Sequence, residues 1–169
     1  LYNRRELKDV SKMTDKDYTP GGMTALLDAV GRTIHKMDMV AGIHRKDKGN
    51  KVLFVIITDG EENDSKEYTY ADVKKLIKDR QENAGWEFIF LGANIDAAAA
   101  AENLGIDRDR AVKYKNTGSG VRANFKAVAE LSDSLAKSGR VSDEWKETVE
   151  KDEDDAAEKQ SAAVTSPRR

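Results

Sequence analysis

At 169 residues and 18.8 kDa, with 38% apolar and 36% charged residues, the chain holds about one domain and is too short for two full ones. The charged share exceeds the roughly 25% of an average soluble domain, so a small packed core with solvated arms is expected. A formal charge of -2 from 29 basic and 31 acidic residues leaves no cationic surplus for nucleic acid or an anionic membrane, and the lack of cysteine removes disulfides, thiolate metal sites and cysteine nucleophiles.

Residues 1–18 are mostly polar and predict a short edge strand or arm. Thr19-Pro20-Gly21-Gly22 is a turn signal, because Pro fixes one φ angle and the glycines open conformations closed to other residues. From Met23 to about Val40, Leu27, Val30, Ile34 and Met37 recur at helical spacing, with Gly42 as the predicted stop. Val52 to Ile57 is apolar without alternation and β-branched, the composition of a strand buried on both faces, and is predicted to be the most central strand. It is also the longest apolar run, far short of the roughly 20 residues of a membrane helix.

A polar loop from Thr58 to Tyr68 precedes a predicted helix over Tyr70–Asn83, ended by Ala84-Gly85. Trp86 to Leu91 reads as a second strand, Asp96 as the cap of an Ala-rich helix over 97–104, and Gly105 as its terminator. Ala111–Tyr114 reads as a short outer strand, and Val121–Leu135 as a helix with Phe125, Val128 and Leu135 on one stripe. Residues 141–160 carry nine acidic and three basic residues, which predicts a frayed acidic helix passing into a disordered tail. The alternation of helices and strands implies an α/β fold of the doubly wound kind, with parallel strands and helices on both faces.

In such sheets ligands bind beyond the carboxyl ends of the strands. Asp59 follows the Val52–Ile57 strand in Ile57-Thr58-Asp59-Gly60, and Thr24 stands at the start of the first helix behind the Gly-Gly turn. A carboxylate and a hydroxyl are the oxygen ligands that Mg²⁺ takes. Taken singly, each has a plainer reading: Thr24 as a helix N-cap, Asp59-Gly60 as a turn. Asp28, one turn beyond Thr24, either orients the loop or answers the helix dipole. Glu61, Glu62, Asn63 and Asp64 read first as a solvated loop, with contact to a cation or to a partner's basic group as the alternative, and His35 and His44 read as surface or helix-flank residues. Trp86 and Trp145 read as core or docking aromatics.

Gly22-Met23-Thr24-Ala25-Leu26-Leu27-Asp28-Ala29 and Val55-Ile56-Ile57-Thr58-Asp59-Gly60 together resemble the second and third motifs of a von Willebrand factor type A domain. The run Trp86 to Asp96 is similar to its bacterial and phage intracellular branch, which implies a cytoplasmic setting. The resemblance covers residues 1–114 and reaches to the helix ending at Leu135. It implies a partial domain over 1–138, an acidic tail over 139–169, and no enzymatic activity. It further implies a metal-ion-dependent adhesion site, in which Thr24 coordinates Mg²⁺ or Mn²⁺ directly and Asp59 holds it largely through water. A partner protein would supply a carboxylate to the ion.

The family's first motif, Asp-x-Ser-x-Ser, does not occur in residues 1–169. Together with the opening Leu1, this gives the expectation that the chain begins inside the domain. Thr24 and Asp59 would then be the only inherited ligands, holding the ion weakly or not at all. One flank of the Val52–Ile57 strand would lie open, covered by the N-terminal arm, by a segment outside this chain, by another polypeptide, or by self-association. A Mg²⁺-dependent phosphoryl-transfer or hydrolytic enzyme built on Asp59, Glu61 and Glu62 is the rival reading, and a structural remnant needing a partner chain is the third.

Overall fold

The computed structural model describes residues 6–11, 14, 16–17, 22–43, 51–142 and 144–151. Of the arm predicted over 1–18, the described part holds a 3₁₀ turn at Leu7–Asp9 and no strand. The remainder of that arm, the Thr19–Gly21 part of the turn signal, His44 and the tail from 152 onward lie outside the described residues.

Three strands form one parallel sheet in the order β1 (Leu53–Thr58), β2 (Glu87–Gly92), β3 (Ala111–Lys113). The register runs from Leu53 opposite Glu87 to Thr58 opposite Gly92, and then from Phe90 opposite Ala111. The helices are α1 (Leu26–Ile43), α2 (Tyr70–Ala84), α3 (Ala97–Asn103), α4 (Gly118–Ser138) and a last described helix, α5, at 145–151. The result is a mixed α/β fold, as the alternation of helical and strand patterns predicts. No helix among the described residues is long and apolar enough to cross a membrane.

The period-2 alternation of a strand sends neighbouring side chains to opposite faces, and the core divides accordingly. Ile56, Phe88 and Phe90 meet Val30 and Ile34 of α1, Val73 and Ile77 of α2, and Ala97 and Ala101 of α3. Ile89, Leu91 and Val112 meet Ala127, Leu131 and Leu135 of α4 on the other face, together with Trp145 and Val149 of α5. Each fully buried Phe, Ile or Leu contributes about 1.5–3 kcal/mol relative to exposure.

Local chemistry sets the element ends. Thr69 and Asp72 form a reciprocal capping box on α2, and Gly85 closes that helix in the left-handed region at φ 64°. Asp96 accepts from the Ala99 N–H at 3.0 Å, capping α3 as its position predicts.

Four sequence expectations need correction. Among the described strands β2, not β1, is the middle one, because apolar composition reports how many faces are covered and not how many neighbours a strand has. Of the predicted stripe on α4, Leu135 is buried and Val128 packs against the core, but Phe125 is 63% exposed, and Gly120, Asn124, Ala127 and Leu131 complete the buried face. Gly42 does not stop α1, which runs one residue past it. The helix at 145–151 is no loose arm, since Trp145 and Val149 are each 2% exposed.

Candidate functional site

α1 begins at Leu26, so Ala25 occupies the cap position and its carbonyl accepts the first helical bond from the Ala29 N–H at 3.1 Å. Alanine has no side-chain acceptor for the orphan N–H groups of the first turn. The loop after β1 supplies them. Glu62 Oε2 accepts from the Leu27 N–H at 2.9 Å, and Ser65 Oγ accepts from the Asp28 N–H at 3.1 Å.

The same loop is tied down from the helix side. The Asp28 carboxylate, 7% exposed, accepts from the backbone N–H groups of Lys66, Glu67 and Tyr68 at 3.0, 2.9 and 3.0 Å. The Lys66 N–H is the largest influence holding the Asp28 carboxyl below its ordinary pKa, against the opposing effect of burial. Glu62 also accepts from Asp64 N–H, Ser65 N–H and Ser65 Oγ–H. Burial pushes the Glu62 pKa up, but its hydrogen bonds from Leu27, Ser65 and Asp64 together outweigh this and lower it.

Thr24 is stitched to this loop by its backbone. Its N–H donates to Asn63 Oδ1 at 2.7 Å, and its carbonyl accepts from Asn63 N–H at 3.0 Å and Asp64 N–H at 3.3 Å. Thr24 is therefore not the N-cap of α1, and its hydroxyl is left out of the capping network. A Cβ placed on Gly60 would lie 3.4 Å from Thr24 Oγ1, so the hydroxyl stands beside the residue that follows Asp59.

Thr58 Oγ1 donates to the Gly60 carbonyl at 2.9 Å and locks the turn from which Asp59 projects. Asp59 is exposed, with Asn116 Nδ2 donating to its Oδ2 at 3.4 Å. Burial raises the pKa of the neighbouring Tyr114 phenol, and the Asp59 charge adds to that shift.

The Thr24 hydroxyl thus stands beside Gly60, one residue beyond Asp59 at the C-terminal end of β1, while the Asp59 carboxylate is met by Asn116. Asp28 orients the loop, one of the two roles its position suggests. Glu62 and Asn63 do not belong to a freely solvated loop: both hold the rim together. Among the described residues no group of three or more His, Asp or Glu side chains is placed to hold a metal ion. The oxygen donors present fit Mg²⁺ in kind but are few, leaving the remaining octahedral positions to water. His35 lies against the Tyr68 ring, with centroids 6.0 Å apart, and belongs to no such group. Comparison with protein-family models, curated proteins and solved structures returns no match for this chain.

Proposed function

We propose that the chain is part of a doubly wound domain of the von Willebrand factor type A kind, acting as a cytoplasmic, non-enzymatic protein-interaction module. Its binding surface is the rim where Thr24 and Asp59 lie. These two residues would hold Mg²⁺ or Mn²⁺ weakly, and the ion supplies a positive charge that attracts a partner's carboxylate. The chain's own part is to fix the two oxygen groups: Asp28 and Glu62 clamp the loop to α1, and Thr58 sets the turn at Asp59.

The observation that supports this reading most is the free Thr24 hydroxyl beside Gly60, bound to the loop through its backbone while Ala25 takes the cap position. The rival hydrolytic reading loses support because Glu62 is occupied by backbone and hydroxyl donors.

Thermal unfolding with and without Mg²⁺ at matched ionic strength tests the proposal. An ion held with a Kd of about 5 mM stabilises the folded state by about 1.4 kcal/mol at about 50 mM. The expected result is a rise in Tm that Thr24→Ala and Asp59→Ala both abolish. A titration showing a Kd tighter than about 1 mM would refute the two-ligand site, and an equal response of Asp59→Ala would refute a site at Asp59.

A further inference from the structure

Asp59 follows β1 and Asn116 follows β3, strands that stand on either side of β2. Asn116 Nδ2 nevertheless donates to Asp59 Oδ2 at 3.4 Å, across 57 residues of sequence. Two strand spacings, about 10 Å, separate the parent strands. The contact therefore bridges the C-terminal end of β2.

The turn that presents Asn116 is pinned on both sides. Tyr114 N–H donates to the Gly92 carbonyl at 3.0 Å and the residue is buried, which ties the turn to the end of β2. Thr117 N–H donates to the Lys115 carbonyl at 2.8 Å, closing a three-residue turn with Asn116 at its apex. Thr117 Oγ1 accepts from Gly120 N–H at 3.2 Å and caps α4. Gly120 leaves no room for a side chain against the Lys115 carbonyl, so the turn lies flush on the helix.

This local structure does not call for asparagine at 116. Asparagine suits turns because it tolerates positive φ and caps helices, but among the described residues Asn94 is the non-glycine at positive φ, and Thr117 is the cap. What the Asn116 amide reaches is Asp59. The bond is longer than the usual value of about 2.9–3.0 Å and joins two exposed residues, so it adds little to folding.

We infer that Asn116 is a positioning residue of the rim site: its amide holds the Asp59 carboxylate by one oxygen and leaves the other available to a divalent cation. Carboxylates that bind metals are themselves held by hydrogen-bond partners, whose loss weakens metal binding about 10–100-fold. A neutral amide suits this place because it orients the carboxylate without setting a positive charge beside the cation. Thr24 leads into α1 on one face of the sheet and Asn116 into α4 on the other, so elements from both faces flank the turn at Asp59. The inference rests on the metal reading above, and it adds a residue that lies outside both sequence motifs.

The full chain, with Mg²⁺ and Mn²⁺ as probes, tests it. Asn116→Leu removes the donor at nearly constant size, and Asn116→Gln keeps it. Without metal, wild type and Asn116→Leu are expected to melt within about 2 °C of each other. At about 50 mM Mg²⁺ a wild-type site with a Kd of about 5 mM raises Tm by about 4 °C. A tenfold weaker site in Asn116→Leu raises it by about 1 °C, and Asn116→Gln keeps at least about half of the wild-type rise. In ¹⁵N spectra, substoichiometric Mn²⁺ should broaden the Asn116 side-chain NH₂ signals together with the Gly60 amide. Asp59→Ala should shift the same side-chain signals in the absence of metal.

An equal Mg²⁺ response in wild type and Asn116→Leu, Asn116 signals that Mn²⁺ leaves sharp, or signals that Asp59→Ala leaves in place would overturn the inference while the metal reading stands. A metal-free loss of several degrees in Asn116→Leu would overturn it too, since the amide would then serve the fold. A wild-type chain that gains no stability from Mg²⁺ overturns the metal reading and the inference with it.

Discussion

Glu62 is the residue on which the clamp between the rim loop and α1 can be tested most sharply. Its carboxylate accepts from Asp64 N–H at 3.0 Å, Ser65 N–H at 2.7 Å, Leu27 N–H at 2.9 Å and Ser65 Oγ–H at 2.7 Å. Gln keeps the shape but offers one acceptor oxygen and one amide donor. With the oxygen toward Asp64 and Ser65, the amide meets the Leu27 N–H; with the oxygen turned the other way, two backbone N–H groups lose their acceptor. Glu62→Gln therefore removes at least one charge-assisted bond. Such bonds are worth about 1.5–3 kcal/mol, and partial exposure places this loss at about 2 kcal/mol.

For a chain of this size a loss of that order lowers Tm by about 6 °C, measured by circular dichroism at neutral pH. The difference from wild type should narrow in acid. A carboxyl whose folded pKa is depressed contributes stability that is fully present above the ordinary carboxylate pKa of about 4.3 and is lost as pH falls beneath it. Below that range wild-type Glu62 is protonated and resembles Gln. A Tm change smaller than about 1 °C at neutral pH, or a difference that widens in acid, would refute the clamp.

Two further substitutions probe neighbouring features. Gly120→Ala drives a methyl into the Lys115 carbonyl, which is backbone and cannot swing aside, so a loss of about 2–3 kcal/mol in urea unfolding is expected. An unchanged midpoint would mean that the turn before α4 adjusts freely. Asp28→Asn removes a carboxyl with a depressed pKa, so the decline of stability below about pH 4 should be shallower than in wild type; an unchanged acid slope would refute the role of its three backbone bonds.

The sequence displays those parts of the molecule that local chemistry determines. Thr69 with Asp72, Gly85 and Asp96 stand where capping rules put them, and the helices and strands built around them fall within a few residues of the periodic patterns. The start of α1 is less legible. Gly-Gly followed by Met23 and Thr24 looks like a helix opening on a threonine cap, yet the helix begins at Leu26 over an alanine cap. The capping carboxylate comes from Glu62, 35 residues away from the Leu27 N–H it serves, and no local pattern announces such a partner. The one available signal is indirect: a helix start without its own acceptor must borrow one, and the run from Glu61 to Ser65 is rich in acceptors.

The position of β1 shows the same limit from the other side. Side-chain pattern encodes the faces of a strand, since faces are covered by apolar burial. The edges are covered by peptide groups, which every non-proline residue carries alike, so the composition of Val52 to Ile57 is equally compatible with one neighbour and with two. What separates the cases is the strand order, in which the outward peptide groups of Leu53, Val55 and Ile57 meet no second strand among the described residues. An edge strand in soluble proteins is commonly guarded by lysine, proline or a bulge. Leu53 to Thr58 contains no lysine or proline, and its six-residue register against β2 is unbroken by any bulge. That lack of a guard distinguishes the outer edge of β1, unpaired among the described residues, from the guarded margin of a finished sheet.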